Sequence, residues 1–510
     1  MSVLKLLAFL LFGISLSGAT YYVDQTSGSD SNAGTSTNTP FAHIPGDQSA
    51  TGSANFTPSV GDTIAVKGGT TYTVDTNSIV NLGQHGVTYT GGQLLSTPWG
   101  SGKPIIDCSL TKPSTDGVNG VFSSVSKSNI TIRGLRFTGG NYDDSYNAFI
   151  SARFTGGTAI GLLVDDCEFD NTQESAVFVW GSWDAGTASS GVTVTNCTFQ
   201  DIGTHGVFLR YGLSGVQVVN NTFTNIGWRT NSPGPGGDPV AVFGHDSPSW
   251  NSDLLVRGNV SYGVPIKSFV ILSDQNENAV IERNYIGGTN GYAGLDINGN
   301  GTNITVRNNV FDLIVGNFYG PVTVDTDQGS GTMVDGLNVW NNTISAETAN
   351  IGLIFLGKGS SGSAQTSKNV DIRNNILISE TASRSMIYVE TSATGVPVSD
   401  FSTLASDYNT FAANGYSTPF HLSGTNYNLA GWQAMGLDIH SASGTPTFGT
   451  GWRLSGDDTI ALEAGDDLSG DFTDDFIGAT RIAPWDIGAY EYFAPKATAT
   501  SATVGTLIGP

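Results

Sequence analysis

An eight-residue phrase recurs ten times along this chain, and no other feature restricts its fold as much. The copies start at residues 130 (ITIRGLRF), 162 (LLVDDCEF), 192 (VTVTNCTF), 216 (VQVVNNTF), 254 (LLVRGNVS), 279 (AVIERNYI), 304 (ITVRNNVF), 337 (LNVWNNTI), 370 (VDIRNNIL) and 404 (LASDYNTF). Each begins with alternating apolar residues, passes an Asn-rich bend and ends on an apolar or aromatic residue. A period of two is a strand signal and excludes helical repeats. The starts lie 24 to 38 residues apart. A shared phrase with variable spacers means one structural unit per copy, with length changes taken up in surface loops.

The Phe or Ile after the bend opens a second strand, and a Gly-rich loop leads to a third, such as Gly206-Val207-Phe208-Leu209-Arg210. Three short strands per turn, each turn stacked on the next, predict an all-β fold: a right-handed parallel β-helix closed by N- and C-terminal capping segments. Stacked side chains at one corner would hydrogen-bond along the axis, which accounts for Asn221, Asn309, Asn342, Asn375 and Asn409. Residues 132, 164, 194, 218, 306, 339 and 372 fall at one inward position. At ~4.8 Å per strand, ten turns reach roughly 50 Å, long enough for a polymer groove. Alternation turns Val207 and Leu209 inward and Phe208 and Arg210 outward. The same parity sends Phe178, Trp180, Asp296, Asn298, Thr323, Asp325 and Asp327 to solvent.

Lys5, the apolar run 6–16 and Ser17-Gly18-Ala19 read as a secretory signal peptide over residues 1–19. The run is too short to span a bilayer comfortably. The expectation is a secreted protein, extracellular or periplasmic, with one β-helix domain over 20–494 and a flexible tail over 495–510. With 21 Lys+Arg against 44 Asp+Glu, the overall field does not suit nucleic acid or an anionic membrane, and a monomer is expected. Acidic pairs such as Asp457-Asp458, Asp466-Asp467 and Asp474-Asp475 suit Ca²⁺, although a solvated acidic surface explains any one of them. No organic cofactor is expected. Three Cys make no disulfide framework. Cys167 and Cys197, at one phrase position in consecutive copies, read as small buried residues.

The chain opens with Tyr21-Tyr22-Val23, Gly28-Ser29-Asp30-Ser31-Asn32-Ala33-Gly34-Thr35, Pro40-Phe41 and Gly61-Asp62-Thr63-Ile64. It ends with Asp466-Asp467-Leu468-Ser469 and Asp486-Ile487-Gly488-Ala489-Tyr490-Glu491-Tyr492. These segments resemble the start and finish of the pectate-lyase-like superfamily of secreted parallel β-helix proteins. The resemblance covers nearly the whole mature chain. It implies a polysaccharide depolymerase, acting by β-elimination on uronates or by hydrolysis, with substrate along the third-strand face. Leu209-Arg210-Tyr211-Gly212 is similar to the arginine-bearing turn of alginate and chondroitin lyases of this fold. The Lys those enzymes carry one turn earlier is missing from Thr187-Ala188-Ser189-Ser190-Gly191. The polygalacturonase set is rejected, because Thr204-His205-Gly206 stands ahead of the candidate acids. The compact Asp-rich turn of the four-Asp calcium lyases is not visible.

The middle turns, between Phe178 and Asp327, concentrate outward polar and aromatic residues and form the candidate site. Lys267 suits the base that removes the proton α to a uronate carboxyl, and Arg210 suits bidentate binding of that carboxylate. Asp296 and Asp325, one turn apart, suit the acid and base of a glycosidase or a shared Ca²⁺, with Asp327 a further ligand of the metal. Trp180 and Phe208 suit sugar stacking, and His245 and Asn298 polar contacts. Trp228, in the longest spacer beside residues 232–239, suits a groove wall. Turn-capping Asp, a surface Lys and outward aromatics under a loop are the plain structural readings. A lyase is the first expectation. An inverting hydrolase and a non-catalytic glycan-binding surface protein are the alternatives, since no complete catalytic signature is present.

Overall fold

One backbone position turns the coil at the corner inside every phrase. The fifth residue of every phrase has positive φ: Gly134, Asp166, Asn196, Asn220, Gly258, Arg283, Asn308, Asn341, Asn374 and Tyr408 lie between 50° and 66°. Gly, Asn and Asp visit this left-handed region most readily, which is why the bend is rich in them. The strands before and after the bend are thereby sent into different sheets.

The computed structural model describes residues 18–494 except 76–78, 111–118, 141–146, 155–159, 182–188, 229–236, 245–249, 264–266, 289–292, 315–319, 326–333, 348–350, 358–366, 382–383 and 391–403. Three long sheets run along it, parallel throughout apart from one terminal antiparallel pair. Sheet 1 collects the phrase strands, from Thr20–Val23 to Leu404–Asp407; sheet 2 the second strands, from Thr71–Thr73 to Ala442–Ser443; sheet 3 the third strands, from Val80–Asn81 to Thr425–Tyr427. The protein is a right-handed parallel β-helix.

The expected inward stack is present on sheet 1. Ile132, Val164, Val194, Val218, Val256, Ile281, Val306, Val339 and Ile372 pair in register, each at most 1% exposed. Sheet 2 adds Phe137, Phe169, Phe199 and Phe223, stacked at 5.3, 5.0 and 4.7 Å, close to the spacing of paired strands.

The corner ladder is longer than expected, for Asn259 and Asn284 join Asn221, Asn309, Asn342, Asn375 and Asn409. Each of the first six donates its backbone N–H and one side-chain N–H to Oδ1 of the next Asn, at 2.9 to 3.0 Å. The other side-chain N–H goes to a carbonyl one turn back. Buried amides so completely paired strengthen the corner, where a lone one would cost about 1 to 3 kcal/mol. In earlier turns Cys167 and Cys197 take this place as buried free thiols.

Helix Leu429–Gln433 closes the far end, with Trp432 fully buried. Asp438 finishes the ladder: its carboxylate accepts from Asn409 Nδ2, Ser406, Ser441 and Trp432 Nε1. Residues 465–488 then fold back along the corner between sheets 1 and 2. Asn374 exchanges hydrogen bonds with Asp466, and Asn341 donates to the carbonyls of Asp486 and Gly488. Arg481, wholly buried, meets Asn308 and Glu491. Four of the acidic residues considered for Ca²⁺ serve this packing. Asp458 and Asp475 accept backbone N–H groups, while Asp466 and Asp474 pair with Arg373 and Arg283.

Candidate functional site

Outward residues of sheet 3 form two columns in register. One runs Arg153, Trp180, Arg210, Phe243, Ser273, Asn298, Asp325. The other runs Ser151, Phe178, Phe208, Ala241, Ile271, Asp296, Thr323, Phe355, Tyr388, His421. Val207 and Leu209 pack into the main core, as alternation requires.

The second column is not solvated in the middle turns, which corrects the expectation from parity. Phe178, Phe208, Ile271, Asp296 and Thr323 are at most 7% exposed. Phe178 and Phe208 stack ring on ring at 4.7 Å and 17°, and Phe243 meets Phe208 edge-on at 5.3 Å. An apolar cluster thus covers the sheet from outside. Phe208 has its faces against protein neighbours, so it supports the surface and does not offer a plane for a sugar.

Trp180 borders this cluster between two guanidinium groups, with Arg153 Cζ 5.6 Å and Arg210 Cζ 5.0 Å from its ring centroid. Arg210 also lies over Tyr211 at 4.4 Å and Phe208 at 5.6 Å, and donates to the Tyr211 hydroxyl. A guanidinium set against three rings has its direction fixed.

The other expected residues are spread along the coil. Lys267 immediately precedes the strand Ser268–Ser273 and donates its N–H to the Gly237 carbonyl. It stands two strands on from Arg210 at the opposite strand end, the two backbones roughly 20 Å apart. Asp296 is three strands from Phe208 and roughly 16 Å from Arg210. The backbone of Asp325 pairs with Asn298, about 8 Å diagonally from that of Asp296. Asn298 lies half-buried in the Arg210 column. Trp228 sits where second strands hand over to third, lining a cleft of about 280 Å³ with Ser109, Gly139, Gly140, Asn171 and Gln173. His245, Asp327 and the Asp325 side chain lie outside the described residues. Among the described residues no three His, Cys, Asp or Glu side chains gather closely enough to hold a metal ion.

One pair was passed over in the sequence. His205 Nδ1 lies 3.1 Å from the Asp238 backbone N and 3.4 Å from its Oδ2. Asp238 is 1% exposed and its Oδ1 accepts from the Ser268 N–H at 2.8 Å. The His205 ring lies 4.6 Å from that of Phe208. His205 and Arg210 therefore lie against the same Phe208 ring, from either end of the strand Val207–Arg210. Pairing Val207 with Val240, its register partner, would have set His205 beside Asp238. Arg153 was missed because its third strand runs two residues beyond Ser151.

Residues 53–261 match a family model described as a right handed beta helix region. No curated protein sequence matches the chain. Among solved structures, the complex of XylC with xylose is 10% identical over 93% of this chain and 98% of its own, at a TM-score of 0.50. Pectate lyase Pel9A is 16% identical over 94% and 97%, at 0.47. The A-module of the Azotobacter vinelandii mannuronan C-5 epimerase AlgE6 is 15% identical over 76% and 91%, at 0.49. Identities this low speak to fold alone, and activity has to be argued from the site. The chain is a right-handed parallel β-helix protein.

Proposed function

We propose that this is a secreted polysaccharide lyase, which cleaves a uronate-containing glycan by β-elimination on the outer face of sheet 3. One observation carries the reading: an imidazole seated with its Nδ1 against the backbone N–H and carboxylate of buried Asp238, and a guanidinium held by three rings, share the Phe208 surface. Elimination needs a cation on the sugar carboxylate and a base for the neighbouring carbon proton. Arg210 suits the first role, because paired hydrogen bonds to the carboxylate also stabilise the charge that develops there. His205 suits the second. Asp238 offers a carboxylate to a protonated Nδ1, which leaves Nε2 as the base, and a backbone N–H to the opposite tautomer, in which Nε2 donates. Nε2 takes the proton from C5, the C4–O4 bond breaks, a C4=C5 double bond forms, and the proton passes to the departing oxygen. Arg153 and Trp180 extend the surface for further sugar units, and Lys267 flanks it two turns on.

Hydrolysis by Asp296 and Asp325 is the second reading. Their backbones lie about 8 Å apart on neighbouring strands, which suits an acid and base pair. Digestion of a panel of acidic and neutral glycans, with Ca²⁺ and with a chelator, tests both readings. New ultraviolet absorbance from an unsaturated uronate, lost in His205→Ala, supports the lyase. Reducing ends without absorbance point to the aspartates. Silence across the panel leaves a glycan-binding surface protein. The chelator arm tests a Ca²⁺ site at Asp325 and Asp327.

A further inference from the structure

Sheet 2 carries an aromatic feature on its outer face that the sheet 3 site does not use. The ring of Tyr285, in the strand Tyr285–Gly287, lies along the sheet over Gly287. A Cβ placed on Gly287 would come within 2.8 to 3.3 Å of three atoms of the tyrosine side chain. The Tyr285 hydroxyl reaches the next strand and donates to Asp312, the register partner of Gly287. Burial and that acceptor push the phenol well above its ordinary value, so it stays protonated and tethered. A ring laid over a glycine and pinned at its hydroxyl turns one face outward. Tyr262, on the preceding strand, is 48% exposed and stands 5.4 Å from Tyr285 at an angle of 50°. The two rings meet as a shallow open corner. Tyr490 of the closing segment is close by, but Arg453 and Phe476 pack against its ring.

We propose that Tyr285 and Tyr262 form a surface platform that binds a neutral polysaccharide chain, apart from the sheet 3 groove. A pyranose ring has an apolar C–H face that fits a flat aromatic ring and a rim of hydroxyls that seek acceptors, and phenol rings beside a carboxylate supply both. Core packing explains a buried ring, but it does not explain a tyrosine left half exposed at the edge of another. The class of glycan follows from charge. Asp312 stands at the platform, so a polyanion is repelled there where a neutral chain is not.

Affinity electrophoresis of the full chain tests this, in native gels cast with xylan, galactomannan, hydroxyethylcellulose or polygalacturonate. The expected result is retardation in at least one neutral gel, kept by His205→Ala and Arg210→Ala. Tyr262→Ala should weaken the apparent affinity about tenfold, roughly the loss of one good stacking contact. Tyr285→Ala and Gly287→Ala should abolish retardation, whereas Tyr285→Phe, which keeps the ring, should retain most of it. If Tyr285→Ala or Gly287→Ala fails to fold, Tyr262→Ala at its exposed site decides the matter alone. Three results would overturn the platform: no retardation in any neutral gel, retardation only in polygalacturonate, or retardation lost with the groove substitutions and untouched by the tyrosine ones.

Discussion

Sheets 2 and 3 both carry aromatic rings on their outer faces, and they use them in opposite ways. On sheet 3, Phe178 and Phe208 are direct register partners, so each ring covers its neighbour and the column becomes a small second core beneath His205 and Arg210. On sheet 2, Tyr262 pairs with Gly287 and Tyr285 with Val260, so the two rings are diagonal and meet at an angle. Rings directly opposite close up, and rings on a diagonal beside a glycine stay open. Register decides whether an outward aromatic supports a surface or displays one.

The largest effect should separate the two faces outright. His205→Ala should lower turnover of a soluble uronate oligomer at least about a hundredfold, as loss of a general base does, and Tyr285→Ala should leave it unchanged. Steady-state rates on both variants measure this, and an active His205→Ala protein would put the chemistry elsewhere. Stability should divide the same way. Phe208→Ala should cost about 3 to 5 kcal/mol in urea denaturation, the range for a buried phenylalanine, and Tyr285→Ala under about 2 kcal/mol. Equal losses would erase the contrast between support and display. Trp180→Ala releases the two guanidinium groups from their ring, and a loss of about 1 kcal/mol of cation–π contact predicts KM raised about fivefold with kcat little altered. A fall in kcat alone would place Trp180 in the chemical step. The smallest effect belongs to Tyr262→Ala, with stability within about 0.5 kcal/mol of wild type and retardation the only property changed.

The fold is legible in the sequence because its determinants are local. Alternation, a left-handed bend at Asn or Gly and an apolar residue after it lie within eight residues, and they place Val306 or Ile372 inward without knowledge of any neighbour. The side of the sheet on which Arg210, Trp180 and Asp296 lie is legible for the same reason. Cover is not, because parity says which way a side chain leaves the strand and nothing of what closes over it, and so Asp296 is 2% exposed where solvent was expected. The His205–Asp238 pair escapes because its members are brought together by register across the longest spacer of the repeat. Gly287 reads as one glycine among 67 until the ring above it is seen.

The asparagine ladder has a direction. From Asn to Asn the hydrogen bonds run toward the C-terminal end, so that series must finish on a group that accepts without donating onward. Asp438 is such a group: four donors converge on it from Asn409, Ser406, Ser441 and Trp432. A carboxylate that accepts two donors on each oxygen passes no hydrogen to a following turn, and helix Leu429–Gln433 stands across the end of the stack. In the language of polymers, the chain carries its own terminator. Open parallel strands invite another copy to continue them, and at this end of the coil that growth is refused by chemistry as well as by bulk.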